Sequence, residues 1–247
     1  MPSVIPTSAS SFAGPHTLSI DIGGTGLKAS VLDIKGAMEA ERVRVETPYP
    51  CTPKVLVEAL SQLIKPLPAF DRVSAGFPGV VREGKIITAP HFGNDIWNGF
   101  ALGEALQKKW GKPVRILNDA DMQGLAVIQG KGLEFVVTLG TGVGTALFLN
   151  GKLMPHLELA QHPAWKDKTY NEYIGDQVLL KKGNKKWNRR VRHALELLQT
   201  LVNYDQLYIG GGNAPKLDFK PGKNVKIVSN QAGILGGIAL WKNDPLE

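Results

Sequence analysis

Two Gly-Thr-Gly bends, Gly24-Thr25-Gly26 and Gly140-Thr141-Gly142, each lie between two short apolar runs of β-compatible residues. The first stretch, Ser19 to Asp33, reads SIDIGGTGLKASVLD; the second, Glu134 to Met154, reads EFVVTLGTGVGTALFLNGKLM. Leu27 to Asp33 alternates in part, which predicts a strand after the bend. A turn at Ile34-Lys35-Gly36 follows, and Arg42-Val43-Arg44-Val45-Glu46 alternates cleanly as a third strand. The glycines therefore join strand to strand, whereas a dinucleotide-binding fingerprint joins strand to helix; that reading is excluded. In the second stretch Val143 to Leu149 repeats the pattern, and Asn150-Gly151 is a two-residue hairpin signal. Two matching meanders predict a chain of two similar halves.

Between the meanders the pattern predicts a helix from Lys54 to Ile64, a strand from Val73 to Phe77 and a hairpin from Val80 to Ile87. A helix from Leu102 to Trp110 and a strand from Val114 to Leu117 follow. Beyond the second meander come helices over Tyr170 to Leu180 and Lys185 to Asn203 and a strand over Gln206 to Ile209 that ends in Gly210-Gly211-Gly212. A last strand, Asn224 to Val228, precedes a helix from Ala232 to Trp241. The mixture is α/β. The division expected is a flexible tail over 1–16, a first half over 17–116 and a second over 117–247, with a hinge near Pro113 to Asp121. The final helix is expected to cross back to the first half.

Of the 247 residues 43% are hydrophobic and 21% charged, an ordinary globular balance with no apolar run long enough to span a bilayer. The start lacks a secretory pattern, and Cys51 is the only cysteine, so an internal disulfide or a cysteine-rich zinc cage within the chain is excluded. A cytoplasmic location is expected. The net charge of +7 favours anionic partners.

Each glycine bend has two readings: a tight hairpin turn, or a nest of backbone N–H groups that receives phosphate oxygens. Asp21 either bonds its own turn or stands near a cation, with Mg²⁺ held through water. Asn118 and Asp119, ending a strand and opening a helix, suit capping as well as chemistry. Lys181, Lys182, Lys185, Lys186, Arg189, Arg190 and Arg192 are seven cations in twelve residues with no acid before Glu196, either a solvated face or a polyanion surface.

Four ordered segments carry a resemblance to a known family. Asp21-Ile22-Gly23-Gly24-Thr25-Gly26-x-Lys28, Leu117-Asn118-Asp119-Ala120, Thr138-Leu139-Gly140-Thr141-Gly142-Val143-Gly144 and Tyr208-Ile209-Gly210-Gly211-Gly212 resemble the ROK sugar kinases (repressor, open reading frame, kinase), especially their polyphosphate glucokinase branch. The resemblance covers Leu18 to Trp241. It implies an actin-like ATPase or hexokinase-type fold, two ribonuclease-H-like halves around a central cleft. It also implies a Mg²⁺-dependent glucokinase that moves phosphate from polyphosphate or ATP to the 6-hydroxyl of a hexose, with Asp119 as general base. A helix N-terminus lowers a carboxylate's pKa, so Asp119 is expected to be ionised at neutral pH.

The same resemblance assigns the remaining site residues. Asp21, Gly23, Gly24, Thr25, Gly26, Lys28, Gly140, Thr141, Gly142, Gly210, Gly211 and Gly212 face the phosphoryl donor, and Asn94, Asn118, Glu158, Gln161 and His162 the sugar. His91 and Asp95 rival Asn94. Gln161 stands where the family's Glu-x-Gly-His segment carries its histidine, with His162 one residue on. Gly76-Phe77-Pro78-Gly79 is similar to a sugar-side loop, although a Pro-Gly turn explains it equally. Lys185, Lys186, Arg189 and Arg190 are candidates for a polyphosphate chain. A homodimer is expected, with no structural zinc, no membrane and no sequence-specific nucleic acid as partners. The alternatives are a non-catalytic sugar- or polyanion-binding regulator and a phosphatase of the same fold. About twenty residues before Asp21 are too few for a DNA-binding helix-turn-helix unit.

Overall fold

The computed structural model describes residues 14–229 and 231–242; the tail expected over 1–16 lies outside them up to residue 13. In the first half, β1 (Thr17–Ile22), β2 (Gly26–Leu32) and β3 (Val43–Glu46) form the expected meander, followed by α1 (Pro53–Leu63) and β4 (Arg72–Phe77). A small hairpin, β5 (Val81–Arg82) and β6 (Lys85–Ile86), precedes α2 (Asn94–Trp97), α3 (Leu102–Trp110) and β7 (Val114–Asn118). The second half begins with α4 (Asp119–Leu125), β8 (Leu133–Leu139), β9 (Val143–Leu149) and β10 (Lys152–Leu153). The short strands β11 (Pro163–Trp165) and β12 (Lys168–Thr169) lead to α5 (Tyr170–Ile174), α6 (Asp176–Lys182) and α7 (Asn184–Val202). Finally come β13 (Gln206–Gly210), β14 (Val225–Ile227) and α8 (Ala232–Ala239).

The two main sheets repeat one topology. The first has the order β3-β2-β1-β4-β7 and the second β10-β9-β8-β13-β14. In each, an antiparallel meander is extended by two parallel strands. Asn150 and Gly151 both have positive φ, as the tight turn between β9 and β10 requires.

Alternation sets the faces. Leu18, Ile20 and Ile22 join a core with Leu56, Leu60 and Leu63 of α1, whose spacing gives one apolar stripe. Thr52 caps α1 by accepting from Val55 N–H. Thr17, Ser19 and Asp21 face the other way. There Ser19 Oγ donates to Ile234 O and Ser74 Oγ to Gly237 O, both at 2.6 Å, tying α8 to the first sheet. A Cβ on Gly236 would collide with the carbonyl of Met122, so α8 lies backbone against backbone on α4.

β7 stays paired to β4 through Asn118, within the hinge expected near Pro113 to Asp121. One boundary departs from expectation. The helix expected over 170–180 is broken at Gly175. Asp176 N–H donates to Gly140 O at 3.1 Å, a bond to the second bend that a continuous helix could not make.

Candidate active site

The two bends meet across a cleft of about 420 Å³, with Thr25 Oγ1 and Thr141 Oγ1 3.5 Å apart. Gly23 N–H donates to Gly26 O at 3.0 Å and Gly140 N–H to Gly142 O at 2.9 Å, closing each bend. The N–H groups of Gly24, Thr25, Thr141 and Gly142 have no hydrogen-bond partner among the described residues. A pair of facing turns with unspent donors is suited to an anion. His91 lies against both: its Cγ is 3.3 Å from where a Cβ on Gly24 would stand, and its Nε2 3.5 Å from that point at Gly142. Burial pushes His91 below its ordinary pKa, against the pull of Glu158.

Asp119 opens α4 on the floor of this cleft. Asn118 caps the helix, its Oδ1 accepting from Ala120 N–H at 2.8 Å and Asp121 N–H at 3.2 Å. Its Nδ2 donates to Gly79 O at 3.1 Å and Phe77 O at 3.4 Å. The amide expected to bond sugar is thus engaged within the protein, where it fixes Asp119. Gly76 makes room: a Cβ there would stand 3.0 Å from Asp119 Cα.

The expectation that Asp119 is ionised at neutral pH is corrected. Burial, followed by the charge of Asp21, raises it to about 7, and the bond from Ala120 N–H with the charge of His156 only partly offsets this. The helix start does not outweigh desolvation here. A carboxylate titrating near neutrality is well matched to taking a proton. Asp21 is paired with Lys28, whose Nζ donates to Oδ2 at 2.7 Å.

On the opposite wall Glu158 accepts from Thr88 Oγ1 at 3.2 Å, and Gln161 also lines the cleft. The histidine there is His156 and not His162. His156 Nδ1 lies 3.0 Å from both carboxylate oxygens of Asp121, and its Nε2 is 4.0 Å from Glu158 Oε1. Burial opposes the imidazolium, but the Asp121 bond and the charges of Asp121, Glu158 and Asp119 outweigh it and hold His156 above its ordinary range. His162 is exposed and bonded to the carbonyl of Pro163. Asn94 is also outside the cleft lining; its Oδ1 accepts from Ala89 N–H at 2.7 Å, and His91 is the residue of that segment that faces the bends. A signal for His156 was present: residues two apart on an extended segment share a side, and His156 precedes Glu158 by two.

The cations fall into two groups. Lys185, Lys186, Arg189 and Arg190 do not line the cleft, and Arg190 stacks over Tyr173, 5.0 Å from its ring centre. Lys28, Arg42 and Arg44 do line it. Of the third glycine run, Gly211 and Gly212 face the cleft, while Gly210 is the buried end of β13. Gln123, which the sequence did not single out, reaches the cleft from α4, 7% exposed and with Nε2 unpartnered among the described residues.

The ROK family profile matches residues 17–156. A polyphosphate glucokinase of Mycobacterium tuberculosis is 30% identical over 230 residues, covering 89% of this chain and 84% of that one. The chain belongs to the ROK family. Among solved structures, the inorganic polyphosphate/ATP-glucomannokinase of Arthrobacter sp. strain KM superposes with a TM-score of 0.81 at 29% identity, covering 92% of this chain and 98% of that one. A ROK family glucokinase from Streptomyces griseus, in complex with glucose and AMPPNP, shares the fold with a TM-score of 0.76 at 18% identity, covering 91% and 98%.

The fold is thus the actin-like, hexokinase-type one expected of a ROK chain. No group of three or more His, Cys, Asp or Glu gathers among the described residues to cage a metal. Asp21, a lone carboxylate beside the first bend with Oδ2 tied to Lys28, fits an ion such as Mg²⁺ that keeps water and phosphate as most of its ligands.

Proposed function

We propose that this protein transfers the terminal phosphoryl group of polyphosphate or ATP to the 6-hydroxyl of a hexose, with glucose the expected acceptor. One observation carries the reading: a half-buried carboxylate, Asp119, stands in the same cleft as two facing Gly-Thr-Gly bends whose threonine hydroxyl oxygens are 3.5 Å apart. The polyphosphate glucokinase and glucomannokinase named among its relatives support it.

The bends and Lys28 hold the phosphate oxygens, while Glu158 and Gln161 offer acceptors and a donor to sugar hydroxyls. Asp119 accepts the hydroxyl proton as the sugar oxygen bonds the terminal phosphorus. The bond from that phosphorus to the donor's bridging oxygen breaks, and the donor leaves as ADP or as a chain one phosphate shorter. Asp21 is the residue that would hold Mg²⁺, which would supply charge neutralisation on the phosphate oxygens. His156, fixed by Asp121, steadies Glu158 and lowers the proton affinity of Asp119.

The test is a panel of hexoses, each offered with ATP and with polyphosphate, following sugar phosphate with and without Mg²⁺. Formation of glucose 6-phosphate with either donor is expected. Absence of product from every pair would overturn the proposal.

A further inference from the structure

A row of side chains crosses the first sheet beside the cleft. Pairing sets Asp21 opposite Lys28 and Lys28 opposite Arg44, so the three stand side by side on one face. Arg42, just before β3, lies two residues from Arg44 along the extended chain, about 7 Å. Arg44 leans over the first bend, its Nε 3.1 Å from where a Cβ on Gly26 would stand. Lys28 shares its charge with Asp21 across a 2.7 Å ion pair. Arg42 and Arg44 are exposed and line the cleft, and their side chains have no hydrogen bond or ion pair among the described residues.

This leaves two unneutralised guanidinium groups at the edge of the phosphate turns. A nucleobase would call for an aromatic face or an apolar slot. None of the cleft-lining residues is Phe, Tyr or Trp. An inorganic chain needs no such platform, because it presents the same charged unit at every step, and each planar guanidinium can bond two phosphate oxygens at once.

We propose that Arg44 and Arg42 form a subsite for the inner phosphates of an inorganic polyphosphate whose terminal group lies at the two Gly-Thr-Gly bends. The inference rests on the phosphoryl-transfer reading of the cleft. It assigns the chain to the β3 edge and not to the cations of α7.

The test compares wild type with R42S/R44S and with K185S/K186S, which removes the same charge from α7. Each is assayed for glucose phosphorylation with ATP, tripolyphosphate and long-chain polyphosphate. In R42S/R44S, KM for the long chain is expected to rise roughly tenfold, and for tripolyphosphate and ATP much less. The slope of log kcat/KM for the long chain against log salt should become shallower by about 1.4, two phosphate contacts at ~0.7 each. K185S/K186S should keep the wild-type preference for the long chain. Equal losses on tripolyphosphate and the long chain, or the same selective loss in K185S/K186S, would overturn the subsite.

Calorimetric binding of long-chain polyphosphate and tripolyphosphate without sugar separates this inference from the catalytic reading. If no donor supports turnover but only R42S/R44S loses the tighter binding of the long chain, the subsite stands and the kinase reading falls. If binding in R42S/R44S matches wild type, the subsite falls whatever the turnover.

Discussion

Asp119→Asn separates chemistry from electrostatics, because it should abolish turnover while making the protein more stable. The carboxyl is raised from 3.8 to about 7, chiefly by burial and then by Asp21. In the unfolded chain this group ionises near its ordinary value; in the fold it holds its proton to near neutrality. Folding therefore favours the protonated form, and stability falls as pH rises through that window and is flat above it. A shift of ~3 units at 1.36 kcal/mol each is about 4 kcal/mol for a dry site. Water in the open cleft screens the charge, so about 2 kcal/mol is expected. Asn keeps an acceptor for the Ala120 N–H, a 2.9 Å bond in the wild type, and carries no charge. Urea unfolding at about pH 4 should give similar stabilities for variant and wild type, with the variant ahead by about 2 kcal/mol at about pH 8. Sugar phosphate formation should fall at least roughly a hundredfold. A variant whose advantage did not grow with pH would refute the buried-charge argument, and one within tenfold of wild-type turnover would remove Asp119 as the base.

Replacing His156 with Asn removes a cation that lowers Asp119, so the acid limb of the kcat/KM profile should move to higher pH; a limb that stays in place would contradict the coupling. The same variant should raise KM for the sugar more than it lowers kcat, since Glu158 loses its neighbour at 4.0 Å. Gly76→Ala forces a Cβ to within 3.0 Å of Asp119 Cα and 3.1 Å of Met122 Cε, with an expected cost of about 1–3 kcal/mol in urea unfolding and a lower kcat. Lys28→Met uncovers the charge of Asp21 beside Asp119, so the acid limb should again move up in pH while KM for the phosphoryl donor rises.

Local chemistry accounts for what could be read in advance. The Gly-Thr-Gly bends, the alternating runs beside them, the Asn150-Gly151 turn and the Asn118 cap depend on neighbours a few residues away, and all recur in the fold. Asp119 and Glu158 were marked by the resemblance of their segments to the ROK family, since local chemistry alone reads the first as a cap and the second as a surface residue. The aperiodic loops were less legible. Asn94 and His91, or His162 and His156, are equally polar and equally close to a motif. Only packing aims His91 at the bends and His156 at Asp121.

Charge was the least legible. The run on α7 stands out along the chain but does not line the cleft, while Arg44, paired with β2, and Arg42, just before it, do. The break at Gly175 follows from a bond to Gly140, far away in sequence, and the proton on Asp119 from walls that several elements build. Backbone preference is a property of short stretches, so the sequence by itself determined the strands, turns and caps. Burial and electrostatic pairing depend on distant residues brought within a few ångströms, so only the tertiary structure decided which side chains share the cleft and what charge they carry there.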